Sequence, residues 1–163
     1  MDPAEITLAS GVYGSSIAYG GVLVTDALGG GGRPFTTALP VGFTALNRGP
    51  GPYGTPASDP DLLIHELGHV WQSQHHPNPA AFMANSLASQ AAAGAAGGDA
   101  YCYVPGSWFG SYGAEQIAQQ AERGEAPIRS HMRGVSARVP DPANIVAMST
   151  PRWETRGAPG VRC

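Results

Sequence analysis

The feature that most constrains this chain is the pentapeptide His-Glu-Leu-Gly-His at residues 65–69. Apolar residues flank it on both sides, and apart from the two histidines the only ionisable residue between Leu62 and Trp71 is Glu66. Residues four apart lie on one face of a helix, so the imidazoles of His65 and His69 can hold one divalent ion together. The pattern therefore predicts a buried helix with a metal-binding face.

Local signals set the ends of this helix and of two others. Ser58 or Asp59 can cap the first helix, Pro60 suits its first turn, and prolines 77 and 79 follow it, so we expect it to span about residues 60–75. A second helix is predicted from Pro79 to about Ala93, and a third from about Ala114 to Arg123. The inner face of the second helix is predicted to carry Phe82, Met83, Leu87 and Ala91.

The remainder of the chain predicts an α+β domain. Short β-branched runs punctuated by glycine indicate strands within residues 6–47, at 6–8, 16–19, 21–25, 34–39 and 41–46. The expected organisation is one domain over 1–163, with a strand region at about 6–47, a helical region at about 58–123 and an irregular tail at about 126–163. One short element is expected near 144–148.

Composition excludes some classes of partner. The net charge is −3 and the nine basic residues are scattered, so no basic stripe indicates nucleic-acid binding. No apolar run is long enough for a membrane span, and the first residues lack the features of a signal peptide. We therefore expect a cytoplasmic protein, export by a signal-independent route, or a piece of a longer protein. Cys102 and Cys163 can form one disulfide or remain two thiols.

A hydrolytic zinc site takes three protein ligands, and the sequence offers two candidates for the third. Glu115 opens the third predicted helix, where a carboxylate suits the positive helix end, and that helix can pack back against the first. His75 completes a His65-x3-His69-x5-His75 spacing typical of metzincins, which place a glycine where this chain has Gln72. On a straight helix His75 lies on the wrong face.

A family resemblance bears on this choice. The run LLIHELGHVWQSQ (62–74), Asp99–Tyr101 and Tyr112–Ala118 resemble the small gluzincin-type domains of bacterial Vgr-related proteins, which also occur at the C-termini of some type VI secretion spike proteins. The similarity covers most of residues 10–123. It implies a minimal zincin-like fold, with N-terminal antiparallel strands packed on an active-site helix and a glutamate-bearing helix. It also implies His65, His69 and Glu115 as zinc ligands.

The chain departs from the thermolysin-like pattern at one position. Those enzymes place an aspartate four residues after the ligand glutamate, where it orients a zinc histidine, and this chain has Gln119 there. The partner that orients the histidine is therefore not identified by the resemblance.

The predicted function is peptide-bond hydrolysis by a zinc-activated water, with Glu66 as general base and a peptide or protein as substrate. Tyr112 lies close to Glu115 in sequence and is the candidate catalytic tyrosine; further candidate donors to the oxyanion are Tyr101, Tyr103, Arg129 and His131. The protein is expected to be an effector or processing peptidase with a secretion-spike partner. The alternative is a non-catalytic, zinc-stabilised docking module of a secreted assembly.

Overall fold

The fold is α+β, as the sequence predicts. A computed structural model describes residues 1–29, 32, 34–39, 43–49, 59–134 and 159–163. This part of the chain contains five α-helices and one three-stranded sheet. The predicted element near residues 144–148 lies outside the described residues. None of the described helices is long and apolar enough to span a membrane.

One helix precedes the three strands, and four helices follow them. We number them in chain order as α1 (Pro3–Tyr13), β1 (Val22–Thr25), β2 (Phe35–Ala38), β3 (Thr44–Asn47), α2 (Pro60–His75), α3 (Pro79–Ala95), α4 (Ala114–Glu122) and α5 (Ala126–Gly134). Short 3₁₀ turns at Tyr19–Gly21 and Phe109–Ser111 precede β1 and α4.

The first element is a helix, and the strand predicted at residues 6–8 was wrong. Asp2 and Glu5 form a capping box, in which each side chain accepts a hydrogen bond from the other residue's backbone at 2.8 Å. Pro3 occupies the first turn of α1. These signals at the helix start outweigh the weak strand preference of Ile6 and Thr7. The strand predicted at residues 16–19 is also absent, and a 3₁₀ turn begins at Tyr19.

The sheet has the strand order β1–β3–β2. Strand β2 runs antiparallel to β3, but β1 runs parallel to β3, which corrects the expectation of antiparallel strands only. The reason is topological. Successive strands reverse direction along the chain, but β3 inserts between β1 and β2, so the first and third strands become parallel neighbours. All four residues of the central strand are buried.

Helix α2 lies in the core and has the predicted bounds. The Asp59 side chain accepts a hydrogen bond from the backbone of Leu62 at 2.9 Å, which caps the helix. Every residue from Leu63 to Ser73 is buried. The Tyr13 hydroxyl donates to the Ile64 carbonyl at 2.5 Å and ties α1 to α2. The position of α2 is thus fixed by its cap, by its burial and by its hydrogen bond to α1.

Gly68 sets the distance between α2 and α4. A Cβ at this position would lie 3.0 Å from the Ala118 Cα and 3.1 Å from its Cβ. The missing side chain therefore lets the two backbones approach closely. Because Gly68 lies within the His-Glu-Leu-Gly-His motif, the contact occurs beside the two histidines.

The chain after residue 126 is not wholly irregular, so that prediction was wrong for its first part. Helix α5 buries Ile128 and Met132, which are four residues apart and lie on one face. Arg133 donates to the Val12 carbonyl at 2.9 Å and attaches this helix to α1. The sequence signal for α5 is weak, because only two apolar residues show the helical spacing. Pro127 beside them is compatible with a first helical turn as well as with a loop.

Cys102 and Cys163 form a disulfide. The C-terminus is held by a second contact, a β-bridge between Tyr103 and Arg162. Arg162 also pairs with Glu125 at 2.5 Å. The last residues are therefore fastened to the segment that leads into α4.

Replacing Gly68 with alanine tests the α2–α4 contact. Overpacking costs about 1–3 kcal/mol, which exceeds the roughly 1 kcal/mol that alanine gains over glycine in a helix. We therefore expect Gly68→Ala to lower the free energy of unfolding in urea. Gly94→Ala is the matched control, because a Cβ there meets nothing within 4 Å. It should leave stability unchanged or raise it, and equal behaviour of the two variants would refute the close contact.

Candidate metal centre

Two helices bring His65, His69 and Glu115 together. The Glu115 Oε2 atom lies 3.3 Å from the Nε2 atom of His65 and 3.3 Å from the Nε2 atom of His69. One ligand atom from each residue falls within 4.8 Å of the others, and all three residues are buried. The histidines come from adjacent turns of α2, and the carboxylate comes from the first turn of α4. The described residues thus contain a candidate three-ligand set, two nitrogens and one oxygen, that could hold a metal ion.

The start of α4 is fixed by Gln116. Its side chain accepts a hydrogen bond from the Gly113 backbone at 2.9 Å and donates to the Cys102 carbonyl at 2.5 Å. Glu115 is the preceding residue, so this capping interaction also fixes the backbone position from which the Glu115 side chain extends. Gln116 consequently links the disulfide-bonded Cys102 directly to the helical turn that carries Glu115.

Helix α3 orients the Glu115 carboxylate. The Ser86 hydroxyl donates to Oε1 at 3.2 Å, and the Gln90 amide donates to the same oxygen at 2.7 Å. These two residues are four apart and lie on one face of α3. With Oε1 held by α3, the other oxygen, Oε2, faces the two imidazoles.

Both imidazoles are oriented through their Nδ1 atoms. The Nδ1 atom of His65 lies 3.0 Å from the Glu122 Oε2 atom, and the Nδ1 atom of His69 lies 2.9 Å from the Gln72 Oε1 atom. Gln72 also donates to the Ala114 carbonyl at 3.0 Å. Each ring therefore presents Nε2 toward Glu115, the arrangement that metal-binding histidines use when a neighbour holds the other nitrogen.

Glu122 contacts the candidate metal centre through His65, and the sequence analysis did not identify it. It occupies the role left open at Gln119, but from one turn further along α4. The signal was present in the spacing, because residues seven apart lie on one helix face two turns apart and Glu122 is seven residues after Glu115. Its longer side chain can reach the first histidine of the motif from that position.

Glu66 is turned toward strand β2. The Thr36 hydroxyl donates to the Glu66 Oε2 atom at 2.8 Å, and the same hydroxyl lies 3.2 Å from the Glu66 carbonyl oxygen. Glu66 also lines the cavity that contains the three-ligand set. The glutamate of the motif therefore lies beside the cluster and is held by the sheet.

His75 does not join the cluster. Helix α2 continues straight through Gln72, so His75 lies on another face, stacked on Trp71 with ring centroids 4.4 Å apart. Its Nδ1 donates to the Trp71 carbonyl at 2.7 Å. The metzincin-like alternative is wrong for this reason.

The structure does not bring Tyr112 to the cluster. Its hydroxyl donates to the Val104 carbonyl at 3.0 Å, and the residue lines a second, smaller cavity together with His131. Tyr103 donates to Glu125 and Arg129 to the Ala121 carbonyl. Of the candidate donors, only Tyr101 lines the metal-site cavity, with its ring centroid 5.8 Å from that of His65.

The cavity above the cluster has a volume of about 420 Å³. Its floor includes the two histidines, Glu66 and Glu115, and its sides come from β2 and α3. A volume in this range is typical of small-molecule ligand sites. The three-ligand set is thus reachable from a cleft even though its residues are buried.

Electrostatics couple the cluster in the absence of a metal. Burial lowers the pKa of His65, but hydrogen bonds to Glu115 and Glu122 raise it more, to about 9. Burial raises the pKa of Glu115, but the charge of His69 and the hydrogen bonds from both histidines hold it well below its usual range. A metal ion that bound here would therefore have to displace protons from the imidazoles.

The comparisons with known proteins give one relative. The type VI secretion system spike protein VgrG2b of Pseudomonas aeruginosa is 32% identical over 156 residues. The alignment covers 86% of this chain but only 15% of the length of that relative. No protein-family model matches the chain, and no solved structure matches it. The chain is therefore similar to a segment of a type VI secretion spike protein.

A pH titration of the metal-free protein tests the role of Glu122. We expect the His65 ring to titrate near pH 9 by NMR, and Glu122→Gln to lower this pKa because one of the two raising carboxylates is lost. Asp26→Asn is the control, because it removes a carboxylate at an exposed residue that follows β1, and it should leave the His65 pKa unchanged.

The raised pKa of His65 makes the stability of the metal-free fold depend on pH. A histidine whose pKa is raised from 6.5 stabilises the metal-free fold below pH 6.5, and this contribution is lost as the pH rises through about 9. The His65 contribution should therefore shrink in Glu122→Gln. A His65 pKa that Glu122→Gln does not change would show that the observed contact is not formed in solution.

Proposed function

We propose that the protein is a zinc-dependent peptidase. The single observation that carries the proposal is the buried His65–His69–Glu115 set, whose two Nε2 atoms and one carboxylate oxygen face a common point. Two imidazoles and one carboxylate are a donor set of catalytic zinc sites, and three protein ligands leave a fourth position for water or substrate. The identification of the metal rests on this chemistry.

Two of the three separations between the candidate ligand atoms fit a tetrahedral ion. Zinc bonds of about 2.0–2.1 Å place neighbouring ligand atoms about 3.3 Å apart in a tetrahedron. The separations between Glu115 Oε2 and the two imidazole nitrogens are both 3.3 Å. Glu115 could therefore share a zinc ion with either imidazole at its present distance, and all three candidate ligand atoms lie within 4.8 Å of one another. Glu122 and Gln72 would hold the two rings in the required tautomer.

In the proposed reaction, Glu66 transfers the proton and Thr36 positions the Glu66 carboxylate. When bound, zinc would polarise the scissile carbonyl and make water acidic enough to be deprotonated near neutral pH. Glu66 would accept the proton from the attacking water and deliver it to the leaving amine. Thr36 keeps the Glu66 carboxylate on the cavity side through its 2.8 Å hydrogen bond. Tyr101 lines the cavity, and we propose it in place of Tyr112 as the donor to the developing oxyanion.

The second candidate function is a non-catalytic docking module stabilised by zinc. The observation that favours it is the similarity to a spike protein, because a spike segment can serve assembly alone. The cleft argues for catalysis instead. A structural zinc site is closed by four protein ligands, whereas the three described ligands lie at the floor of a cavity of about 420 Å³.

The proposed setting is a type VI secretion assembly. The 32% identity to a spike protein supports delivery with a secretion spike and thus export without a signal peptide. The Cys102–Cys163 disulfide supports action in an oxidising compartment, since such bonds persist there and are rare in the cytoplasm. The proposed substrate is a peptide or protein met after delivery.

Glu66→Gln separates metal binding from catalysis. The variant keeps a side chain that can bond to Thr36 but cannot accept the proton, so zinc stoichiometry should stay the same. Cleavage of a mixed peptide library should fall by about 10²–10⁴-fold. Zinc is measured by atomic absorption and cleavage by mass spectrometry.

The control for this test is Asp61→Asn, the same chemical change at an exposed residue in the first turn of α2. It should cleave as the wild type does. Full cleavage by Glu66→Gln would exclude the proposed base. A wild-type protein that binds zinc but cleaves no peptide would favour the docking module.

A further inference from the structure

Leu87 is an exposed leucine on the wall of the metal-site cavity. Its side chain is 69% exposed, although the sequence placed it on the inner face of α3. Ala91, predicted on the same face, is also exposed, and the buried positions of α3 are Phe82, Ser86, Ser89 and Ala93. The prediction of Leu87 as a core residue was wrong. The fold therefore does not explain a large apolar side chain at this position.

Helix α3 carries two parallel rows of side chains at the site. Ser86 and Gln90 form the first row and hold the Glu115 carboxylate. Met83 and Leu87 form the second row, with the same four-residue spacing, and both line the cavity. Because the rows share one rigid helix, the bonds that position the proposed metal ligand also fix the apolar row relative to it.

The opposite side of the cavity is also apolar at its rim. Pro34 and Phe35 line it at the start of β2, one residue before Thr36, which contacts Glu66. The cavity is thus bounded by apolar side chains from the sheet and from α3, with the proposed base and metal ligands between them. A peptide bond placed at the metal would bring a neighbouring side chain against this apolar boundary.

We infer that Met83 and Leu87 form a subsite for an apolar side chain next to the scissile bond. The inference rests on the proposed peptidase function and adds the substrate class, peptides with an apolar residue at that position. Leu87 is the specificity-determining residue, because its exposure makes it available to the substrate and leaves the fold largely independent of it. Burying the substrate side chain against it removes apolar surface of both from water.

The experiment compares cleavage by the zinc-loaded wild type with that by Leu87→Asp and Leu87→Arg on a mixed peptide library. The wild type should prefer apolar over charged residues beside the cleaved bond. Each variant should lose about tenfold or more in kcat/KM on the apolar peptides. Leu87→Asp should gain relative preference for basic residues and Leu87→Arg for acidic ones. Opposite shifts would exclude a general loss of folding.

Ala91→Asp and Ala91→Arg are the matched controls. Ala91 is exposed on the next turn of α3 and does not line the cavity, so these variants should keep the wild-type preference. Library cleavage without an apolar preference, or preferences that Leu87 substitutions do not shift, would overturn the subsite and leave the peptidase standing. Absence of all cleavage by the zinc-loaded wild type would overturn the peptidase itself, and the subsite with it.

Discussion

The structure depends on the burial of one carboxylate, that of Glu115, between two imidazoles. A buried charge is expensive unless opposite charge and hydrogen bonds surround it. Here α3 supplies two donors to one oxygen and α2 supplies two rings to the other. The absence of a side chain at Gly68 lets α4 approach closely enough for this contact. The helices around the site are thus arranged to satisfy one group.

The parts of this arrangement that were predictable are those encoded locally. Helix α2 could be delimited because its cap, its apolar run and the following prolines are all consecutive in the sequence. Glu115 could be proposed because a carboxylate in a first helical turn has a physical reason to be there. The disulfide was one of two open alternatives, since no local signal tells whether Cys102 and Cys163 meet.

The sequence predictions that were wrong or incomplete concern residues whose positions depend on tertiary contacts. Leu87 was placed in the core because helical periodicity identifies an apolar face, but here the polar row of Ser86 and Gln90 points inward toward a carboxylate. Proximity in sequence suggested Tyr112, yet its hydroxyl is used by the Val104 carbonyl. Glu122 was missed because its partner, His65, lies on another helix. Each case needed knowledge of which elements face each other.

The most direct test is a crystal structure of the zinc-loaded protein, with anomalous diffraction measured at the zinc absorption edge. The account predicts one anomalous peak about 2.0–2.2 Å from the Nε2 atoms of His65 and His69 and from a Glu115 oxygen, with a further position open to the cavity. A peak elsewhere, or one whose ligands omit any of these three residues, would contradict the account.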